Sequence, residues 1–235
     1  MGRSTRSSST CGASGRPLAP AQVVVMAKYP SPGSVKTRLA AQIGASTACR
    51  LYAAFVGDLA ERLAGAGLPV TWAVWPPDAP FAALVSGQRC IAQVGRDLGE
   101  RMEAAMQACR DATPLPVITV GADAPHLDPA RLTEAAEALT GDADVVLGPA
   151  TDGGYYLIGL RAPCPALFRD IAWGSSGVLD ATLARARAAG LRVLLLAPTF
   201  DVDDADGLAA LRALLARGGA ALPRTAAVLA ALAGD

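Results

Sequence analysis

Several residue types are scarce in this chain of 235 residues, and their scarcity argues against particular classes of protein and kinds of site. Asparagine is absent, histidine occurs once, and Lys28 and Lys36 are the only lysines among 21 basic residues. Basic and acidic residues balance at 21 each, so the chain lacks the basic excess that proteins binding a nucleic-acid backbone usually show. These counts favour a small-molecule ligand held by a local arrangement of charges, with no nucleic-acid partner.

Cysteine pairs and long apolar runs are also missing. The five cysteines are odd in number and contain no CxxC spacing, which argues against a disulfide framework and a zinc site. No run approaches the roughly 20 apolar residues of a membrane span. Residues 1–22 are rich in Ser, Gly and Arg, without an apolar stretch of signal-peptide length. We expect a cytoplasmic protein with no membrane partner, in which residues 1–22 form a flexible tail.

The rest of the chain alternates between short β-branched runs and amphipathic segments. Val23–Ala27 is typical of a buried strand, and residues 46–64 carry Leu or Phe at four-residue spacing, which predicts a helix. Ser46 is the predicted N-cap of that helix and Gly65 its end. Repeated alternation of this kind predicts a three-layer α/β/α sandwich with a mostly parallel mixed sheet, as one domain over residues 23–235.

The loop after the first strand carries both lysines. In open α/β sheets, ligands bind beyond the carboxyl ends of the strands. Lys36 and Arg38 stand near a helix N-terminus, where N–H groups and the helix dipole favour an anion over a cation, and a bound phosphate would offset that conflict. The loop matches neither the Walker A motif nor GxGxxG, so an ordinary solvated basic turn remains the alternative. The candidate nucleotide-binding residues in and next to this loop are Ala27, Lys28, Gly33, Lys36, Thr37 and Arg38.

Two acidic segments are candidates for a magnesium or manganese site. Asp123 directly follows a strong apolar run, while Asp201 and Asp203 have the alternate spacing that places both on one face of an extended chain. Hard carboxylate oxygens suit Mg²⁺ or Mn²⁺, and clustered acids repel one another unless a cation neutralises them. The alternatives are structural: Asp123 would stabilise the turn before Pro125, and Asp203 or Asp204 would cap the next helix.

Three further polar positions have two interpretations each. The Asp-Gly pair in residues 151–156 is typical of a hairpin turn, but this loop also suits the orientation of an acceptor. Arg101 lies in a mixed-charge segment near a helix start, where it would either bind a nucleotide phosphate or be exposed to solvent. For His126, the only histidine, no partner is identifiable, so we expect a bystander at the rim of the crevice and no general base.

Six segments, in this order, resemble a bacterial set of GT-A-fold proteins usually labelled glycosyltransferase-like or radical-SAM/selenodomain-associated transferases. The resemblance runs from Val23 to about Leu214. More distantly, three of the segments (Lys-Thr-Arg-Leu, Asp-x-Pro-x-Leu and Asp-Val-Asp) are similar to phospholactate and phosphoenolpyruvate guanylyltransferases. The six segments are Ala27-Lys28 with Pro32-Gly33-x-x-Lys36-Thr37-Arg38-Leu39, Gly95-x-Asp97-Leu98-Gly99-x-Arg101-Met102, Gly121-x-Asp123-x-Pro125-x-Leu127, Asp152-Gly153-Gly154-Tyr155-Tyr156, Ile171-x-Trp173-Gly174-Ser175 and Asp201-Val202-Asp203.

The resemblance implies a metal-dependent transferase that handles a nucleotide. It implies metal binding by Asp123, Asp201 and Asp203, and Asp204 departs from the pattern because relatives usually carry Thr there. The favoured reaction joins a nucleoside triphosphate to a small phosphate- or carboxylate-bearing acceptor and releases pyrophosphate. The alternatives are glycosyl transfer from a nucleotide-sugar and a nucleotide-binding module without turnover.

Residue roles follow from this interpretation. Lys36 and Arg38 would stabilise the departing phosphates. Because a phosphoryl-type acceptor is already nucleophilic, no dedicated base is needed, whereas in glycosyl transfer Asp152 would orient or deprotonate an acceptor hydroxyl. The predicted catalytic residues are therefore Lys36, Arg38, Asp123 and Asp152. The predicted acceptor-binding residues are Asp152, Gly153, Gly154, Tyr155 and Trp173.

Overall fold

The computed structural model describes residues 20–232, which form one seven-stranded sheet between two layers of helices. The strand order is β3-β2-β1-β4-β6-β5-β7, in which β6 runs antiparallel to β4 and β5 and the other pairs are parallel. The predicted α/β/α sandwich with a mostly parallel mixed sheet is confirmed. The strands are β1 (Gln22–Lys28), β2 (Val70–Trp75), β3 (Arg89–Ala92), β4 (Val117–Gly121), β5 (Val145–Pro149), β6 (Tyr155–Leu160) and β7 (Val193–Leu195).

Residues 20–232 also contain seven helices and two short 3₁₀ turns, of which α6 and α7 follow the last strand. Buried side chains of α3 and α5 pack on one face of the sheet, and those of α1, α2, α4, α6 and α7 pack on the other. None of these helices is both long enough and apolar enough to cross a membrane. The helices are α1 (Thr37–Ile43), α2 (Ala45–Ala64), α3 (Leu98–Ala112), α4 (Pro129–Thr140), α5 (Val178–Ala188), α6 (Ala205–Ala216) and α7 (Pro223–Ala231), and the 3₁₀ turns are Phe81–Ala83 and Pro165–Leu167.

Strand β1 lies near the middle of the sheet because it is apolar on both sides. Val23 and Val25 belong to the core beneath α2, while Val24 and Met26 belong to the core beneath α3. Burial of each such side chain stabilises the fold by roughly 1.5–3 kcal/mol. Because successive side chains point to opposite faces, β1 is held from both sides and its carboxyl end is rigidly placed.

The start of α2 differs from the prediction, and most of the predicted tail lies outside the described residues. Residues 1–19 of the tail lie outside the described residues, and β1 begins at Gln22, one residue before the predicted strand. Ser46 is not the N-cap of α2, and that prediction was wrong. Gly44, at φ 81°, ends α1 and starts α2 at once, so the two helices meet without a linker that would place Ser46 outside the helix. Gly65 does end α2, as expected.

Candidate functional site

The carboxyl ends of β1 and β4 open into a cavity of about 700 Å³. Twelve of the predicted site residues line it, from the nucleotide, acceptor and metal sets alike. Gly33, Arg38 and Gly153 do not line it, although each is next to a residue or contacts a residue that does. The twelve are Ala27, Lys28, Lys36, Thr37, Arg101, Asp123, Asp152, Gly154, Tyr155, Trp173, Asp201 and Asp203.

Lys36 is the central cation of this cavity. Its Nζ donates to Asp123 Oδ1 and, at 2.7 Å, to Asp203 Oδ1, and its side chain is only 2% exposed. Burial by itself lowers the pKa of Lys36, but the adjacent Asp123 and Asp203 outweigh it and raise the pKa above the usual value. The ammonium is therefore charged, and it joins two acidic segments that are 80 residues apart in the sequence.

The backbone of Lys36 is also unusual. Lys36 is the N-cap of α1 and lies in the left-handed region, at φ 50° and ψ 45°, which a residue with a Cβ rarely adopts. Such a conformation costs about 1 kcal/mol or more and tends to persist where surrounding contacts hold it. Here the ion pairs with Asp123 and Asp203 hold the backbone of Lys36 in this conformation. The side chain of Lys36 therefore points into the cavity from the start of α1.

The two acidic segments are joined through their main chains as well. Val202 N donates to Asp123 O at 3.0 Å, which places the carboxylates on either side of Val202 beside Asp123. Arg38 Nη2 donates to Asp203 Oδ2 at 3.1 Å from the exposed rim. Burial raises the pKa of Asp203, but Lys36 and Arg38 together lower it below its usual range. Asp204, and not Asp203, caps α6 by accepting from Gly207 N at 3.0 Å.

Asp201 is a buried carboxyl group that lies near two other carboxylates. Burial, and then the nearby Asp123 and Asp203, raise the pKa of Asp201 to about 7. By their chemistry these three carboxylates are a donor set that fits Mg²⁺ or Mn²⁺. Within residues 20–232, however, no three Asp, Glu, His or Cys side chains are spaced to hold an ion as they stand. The ammonium of Lys36 lies between two of the predicted ligands, so the metal site stays a prediction.

The Asp152 loop is a turn that borders the cavity, and its predicted role toward an acceptor stays a prediction. It joins the antiparallel strands β5 and β6, and Asp152 Oδ1 accepts from Gly154 N at 2.9 Å, as a turn residue does. Asp152 also lines the cavity. Beyond it, the rings of Tyr155 and Trp173 meet edge to face at 6.4 Å. One carboxylate from this loop and the aromatic rings of Tyr155 and Trp173 therefore lie together at the start of β6.

Sequence reasoning missed several lining residues and misplaced the histidine. Gln93 and Thr119 line the cavity and are almost fully buried. Gln93 follows the carboxyl end of β3, so the rule that ligands meet strand ends was available to find it. His126 is not at the rim but buried, with Nε2 3.1 Å from Thr199 Oγ1 and its ring stacked on Phe200. Burial, and then Arg62, lower the pKa of His126 to about 4.

The sheet order and the cavity at its carboxyl edge define an α/β fold of the nucleotide-diphospho-sugar transferase type. A structure from Desulfovibrio desulfuricans G20, described as a candidate nucleotide-diphospho-sugar transferase, has a TM-score of 0.77 and 37% identity. That similarity covers 83% of this chain and 87% of the other. A 4-diphosphocytidyl-2C-methyl-D-erythritol synthase shares the fold at 14% identity, with a TM-score of 0.51 over 83% of this chain and 97% of that one.

The chain belongs to the DUF2064 family, described as uncharacterized proteins conserved in bacteria, whose family model matches residues 39–175. The matched range includes Asp123 and Asp152 of the cavity. It ends before Asp201 and Asp203, which reach the same cavity from outside that range. No curated protein sequence matches the chain. The expected GT-A-like family membership is thereby confirmed.

Proposed function

We propose that this protein is a nucleotide-handling transferase whose cavity binds a nucleoside triphosphate and joins it to a small phosphate- or carboxylate-bearing acceptor. The observation that carries the proposal is the buried Lys36 ammonium, held between Asp123 and Asp203 at the carboxyl edge of the sheet. A buried ion pair of this kind is a poor way to stabilise a fold, because removing charges from water costs free energy. Charged groups kept in a cavity at such a cost suit a ligand that is itself charged.

The charges in the cavity suit a phosphate chain on one side and a cation on the other. Lys36, Lys28 and Arg101 line the cavity, and Arg38 stands at its rim beside Asp203. These four cations would bind the phosphates, and Lys36 and Arg38 would stabilise the charge on the leaving group. A divalent cation held by the three predicted acidic ligands would neutralise phosphate charge when bound.

Asp152 and Trp173 line the cavity and would bind the acceptor, because Asp152 precedes β6 and Trp173 contacts Tyr155 of β6, which β4 separates from Lys28 on β1. A phosphate or carboxylate acceptor is already ionised at neutral pH, so it would attack the α-phosphorus without losing a proton. The bond between the α-phosphorus and the oxygen that bridges it to the β-phosphate would break, and pyrophosphate would leave. Since His126 is buried against Phe200 and does not line the cavity, it takes no part in this proposal.

Glycosyl transfer from a nucleotide-sugar is the second candidate. It is favoured by the description of the Desulfovibrio desulfuricans G20 relative, at 37% identity over most of both chains. In that reaction Asp152 would accept a proton from, or orient, an acceptor hydroxyl, and the cations would stabilise a nucleoside diphosphate leaving group. Both candidates need the same cations and differ in the bond that breaks.

Two release assays separate the candidates. Pyrophosphate release is measured with four nucleoside triphosphates and a panel of phosphorylated and carboxylated acceptors, and nucleoside diphosphate release with a panel of nucleotide-sugars, both with Mg²⁺. We expect pyrophosphate release that Asp203→Asn reduces at least tenfold and that Asp78→Asn, an exposed control, leaves unchanged. Nucleoside diphosphate release alone would favour glycosyl transfer. Ligand-induced stabilisation without either product would indicate a binding module.

A further inference from the structure

Thr119 carries a buried hydroxyl group inside strand β4. The residue lines the cavity and is only 3% exposed, and among residues 20–232 its Oγ1 has no hydrogen-bond partner. A hydroxyl group that is buried without a partner costs free energy, so its presence suits a ligand that supplies the missing hydrogen bond. Thr119 is therefore a candidate ligand contact outside the cluster of Lys36, Asp123 and Asp203.

Thr119 lies on the face of the sheet that packs against α3. Successive residues of a strand point to opposite faces, and Val117 belongs to the core beneath α3 while Ile118 belongs to the core beneath α2. The neighbours of Thr119 in the sheet, Val24 on β1 and Ile158 on β6, belong to the core beneath α3 as well. The cavity therefore continues from the carboxyl edge of the sheet onto this face.

The charged groups of the cavity lie toward the other face. The ammonium of Lys36 is 5.5 Å from the centroid of the Tyr52 ring and 5.9 Å from that of the Phe55 ring, and both rings belong to α2. A part of a ligand that reaches Thr119 therefore leaves these charges and enters largely apolar surroundings. The lining side chains that belong to or pack against the core beneath α3 are Met26, Met102, Tyr155, Ile158 and Trp173.

We infer that Thr119 selects the acceptor, through a hydrogen bond between its Oγ1 and a hydroxyl or carbonyl group on an otherwise apolar carbon skeleton. The inference rests on the proposed function, which puts the phosphates at Lys36 and the acceptor near β6. Thr119 pairs with Ile158 of β6, and Trp173 contacts Tyr155 at the start of that strand. Thr119 therefore lies on the acceptor side of the cavity.

The surroundings of Thr119 define the class of acceptor. One phosphate or carboxylate group attacks the nucleotide, an apolar body lies against the α3 face, and one further polar group bonds to Thr119. A polyhydroxylated sugar phosphate does not suit this face, because its hydroxyl groups would be buried against apolar side chains such as Met26 and Met102. Thr119 is thus a specificity-determining residue for the proposed reaction.

The test compares acceptors that differ by one hydroxyl group. Pyrophosphate release is measured with each of the four nucleoside triphosphates and Mg²⁺ for two pairs, 3-hydroxybutyl phosphate with butyl phosphate and 2-hydroxy-4-methylpentanoate with 4-methylpentanoate. Glucose 1-phosphate and gluconate represent polyhydroxylated acceptors. In the wild type, kcat/KM for the hydroxylated member of at least one pair should exceed that of its partner, and of both sugar derivatives, by about tenfold, as expected for one buried hydrogen bond. In Thr119→Val the ratio within that pair should fall below twofold, and Thr119→Ser, which keeps the hydroxyl group, should retain it.

Stability without ligand is a second readout. Because Thr119→Val removes a hydroxyl group that lacks a partner, its midpoint of urea unfolding should not fall below that of the wild type. Thr225→Val is the matched control, since among the described residues Thr225 Oγ1 is also buried without a partner, but Thr225 does not line the cavity. The control should likewise keep its midpoint, and it should retain the wild-type ratio between acceptors.

The outcomes separate the inference from the proposed function. An equal ratio in Thr119→Val and the wild type, as a hydroxyl group that binds only water would give, would overturn the inference alone. A preference of the wild type for the sugar derivatives would do the same, and so would a lower unfolding midpoint in Thr119→Val, which would reveal a structural partner of the hydroxyl group. If no acceptor supports pyrophosphate release, the proposed function fails as well.

Discussion

Lys36 Nζ lies 2.7 Å from Asp203 Oδ1, although 167 positions separate the two residues. The same ammonium contacts Asp123, so one buried cation neutralises two acidic segments. A divalent metal held by these carboxylates would compete with the ammonium for them. We therefore expect Lys36 to turn from the acids toward phosphate when both ligands bind.

Lys36→Met tests this competition. Loss of the ammonium should lower the free energy of unfolding by about 2 kcal/mol in EDTA. This is less than the roughly 3–5 kcal/mol of a fully buried pair, because the Asp123 and Asp203 side chains are 45% and 34% exposed. Mg²⁺ should then stabilise the variant more than the wild type, as measured by urea unfolding with and without metal. Arg212→Met, on the exposed side of α6, is the control. Equal metal effects in variant and wild type would contradict competition.

Asp152→Asn separates the turn role of this residue from its chemical role. Asparagine keeps the oxygen that accepts from Gly154 N, so stability should stay within about 0.5 kcal/mol of the wild type. Turnover in the release assays should fall at least tenfold because the carboxylate is lost. Asp152→Ala should lose the turn hydrogen bond too and unfold about 1 kcal/mol more easily. Full turnover in Asp152→Asn would show that Asp152 has no chemical role and only stabilises the turn.

Gly153→Ala should disturb the same loop through its backbone. Gly153 has φ +90°, and a Cβ there would lie 2.1 Å from Ser176 O. We expect a loss of about 3 kcal/mol in chemical denaturation, from strain and from displacement of the loop. Gly33→Ala is a matched control, with φ +81° and nothing within 4 Å of the added carbon, and should cost only about 1 kcal/mol. Similar losses in the two variants would show that contact with Ser176 does not matter.

His126 should make the folded state sensitive to moderate acid. Its pKa is about 4 in the folded protein but about 6.5 in an unfolded chain. Between these values the unfolded chain binds more protons, so stability falls as the pH decreases from 6.5 to 4, by up to about 3 kcal/mol. His126→Gln should lack this slope, as followed by urea midpoints from pH 7 to 4.5.

Asp201 titrates in the same window with the opposite sign. Its folded pKa of about 7 lies above the unfolded value, so its contribution to stability increases as the pH falls toward 4. Because Asp201 is present in both proteins, its effect cancels in the difference between wild type and His126→Gln. Parallel pH profiles of the two proteins would show that His126 does not titrate as its burial requires.

Much of the fold followed from local patterns in the sequence. Gly153-Gly154 and the aspartates before Ala205 stand directly before β6 and α6, so the local sequence marks where both elements begin. The cap of α2 was wrong, since Gly44 serves two helices at once. The antiparallel direction of β6 beside β4 depends on contacts between distant segments, and hydrophobic periodicity carries no information about strand direction.

The sequence allowed us to predict which residues meet in the cavity, but not how they pair with one another. The rule that ligands meet the carboxyl ends of strands brought Lys36, Asp123 and Asp203 to one edge. It assigned the lysine to phosphate and the acids to a metal, as two separate groups. The direct contact between Lys36 and the two aspartates accompanies the left-handed backbone conformation of Lys36, which no pattern in the sequence predicted. Gln93 was missed because a lone glutamine after a strand has no motif around it.

The most direct test of this account is a calorimetric titration of nucleoside triphosphates into the wild type and Asp203→Asn, each with Mg²⁺ and with EDTA. The wild type should bind its preferred triphosphate at least tenfold more tightly with Mg²⁺ than with EDTA, because the acids and Lys36 then bind different partners. Asp203→Asn should lose most of that difference, and exposed Asp78→Asn should keep it. Binding that is indifferent to both Mg²⁺ and Asp203, or no binding of any triphosphate, would contradict the account.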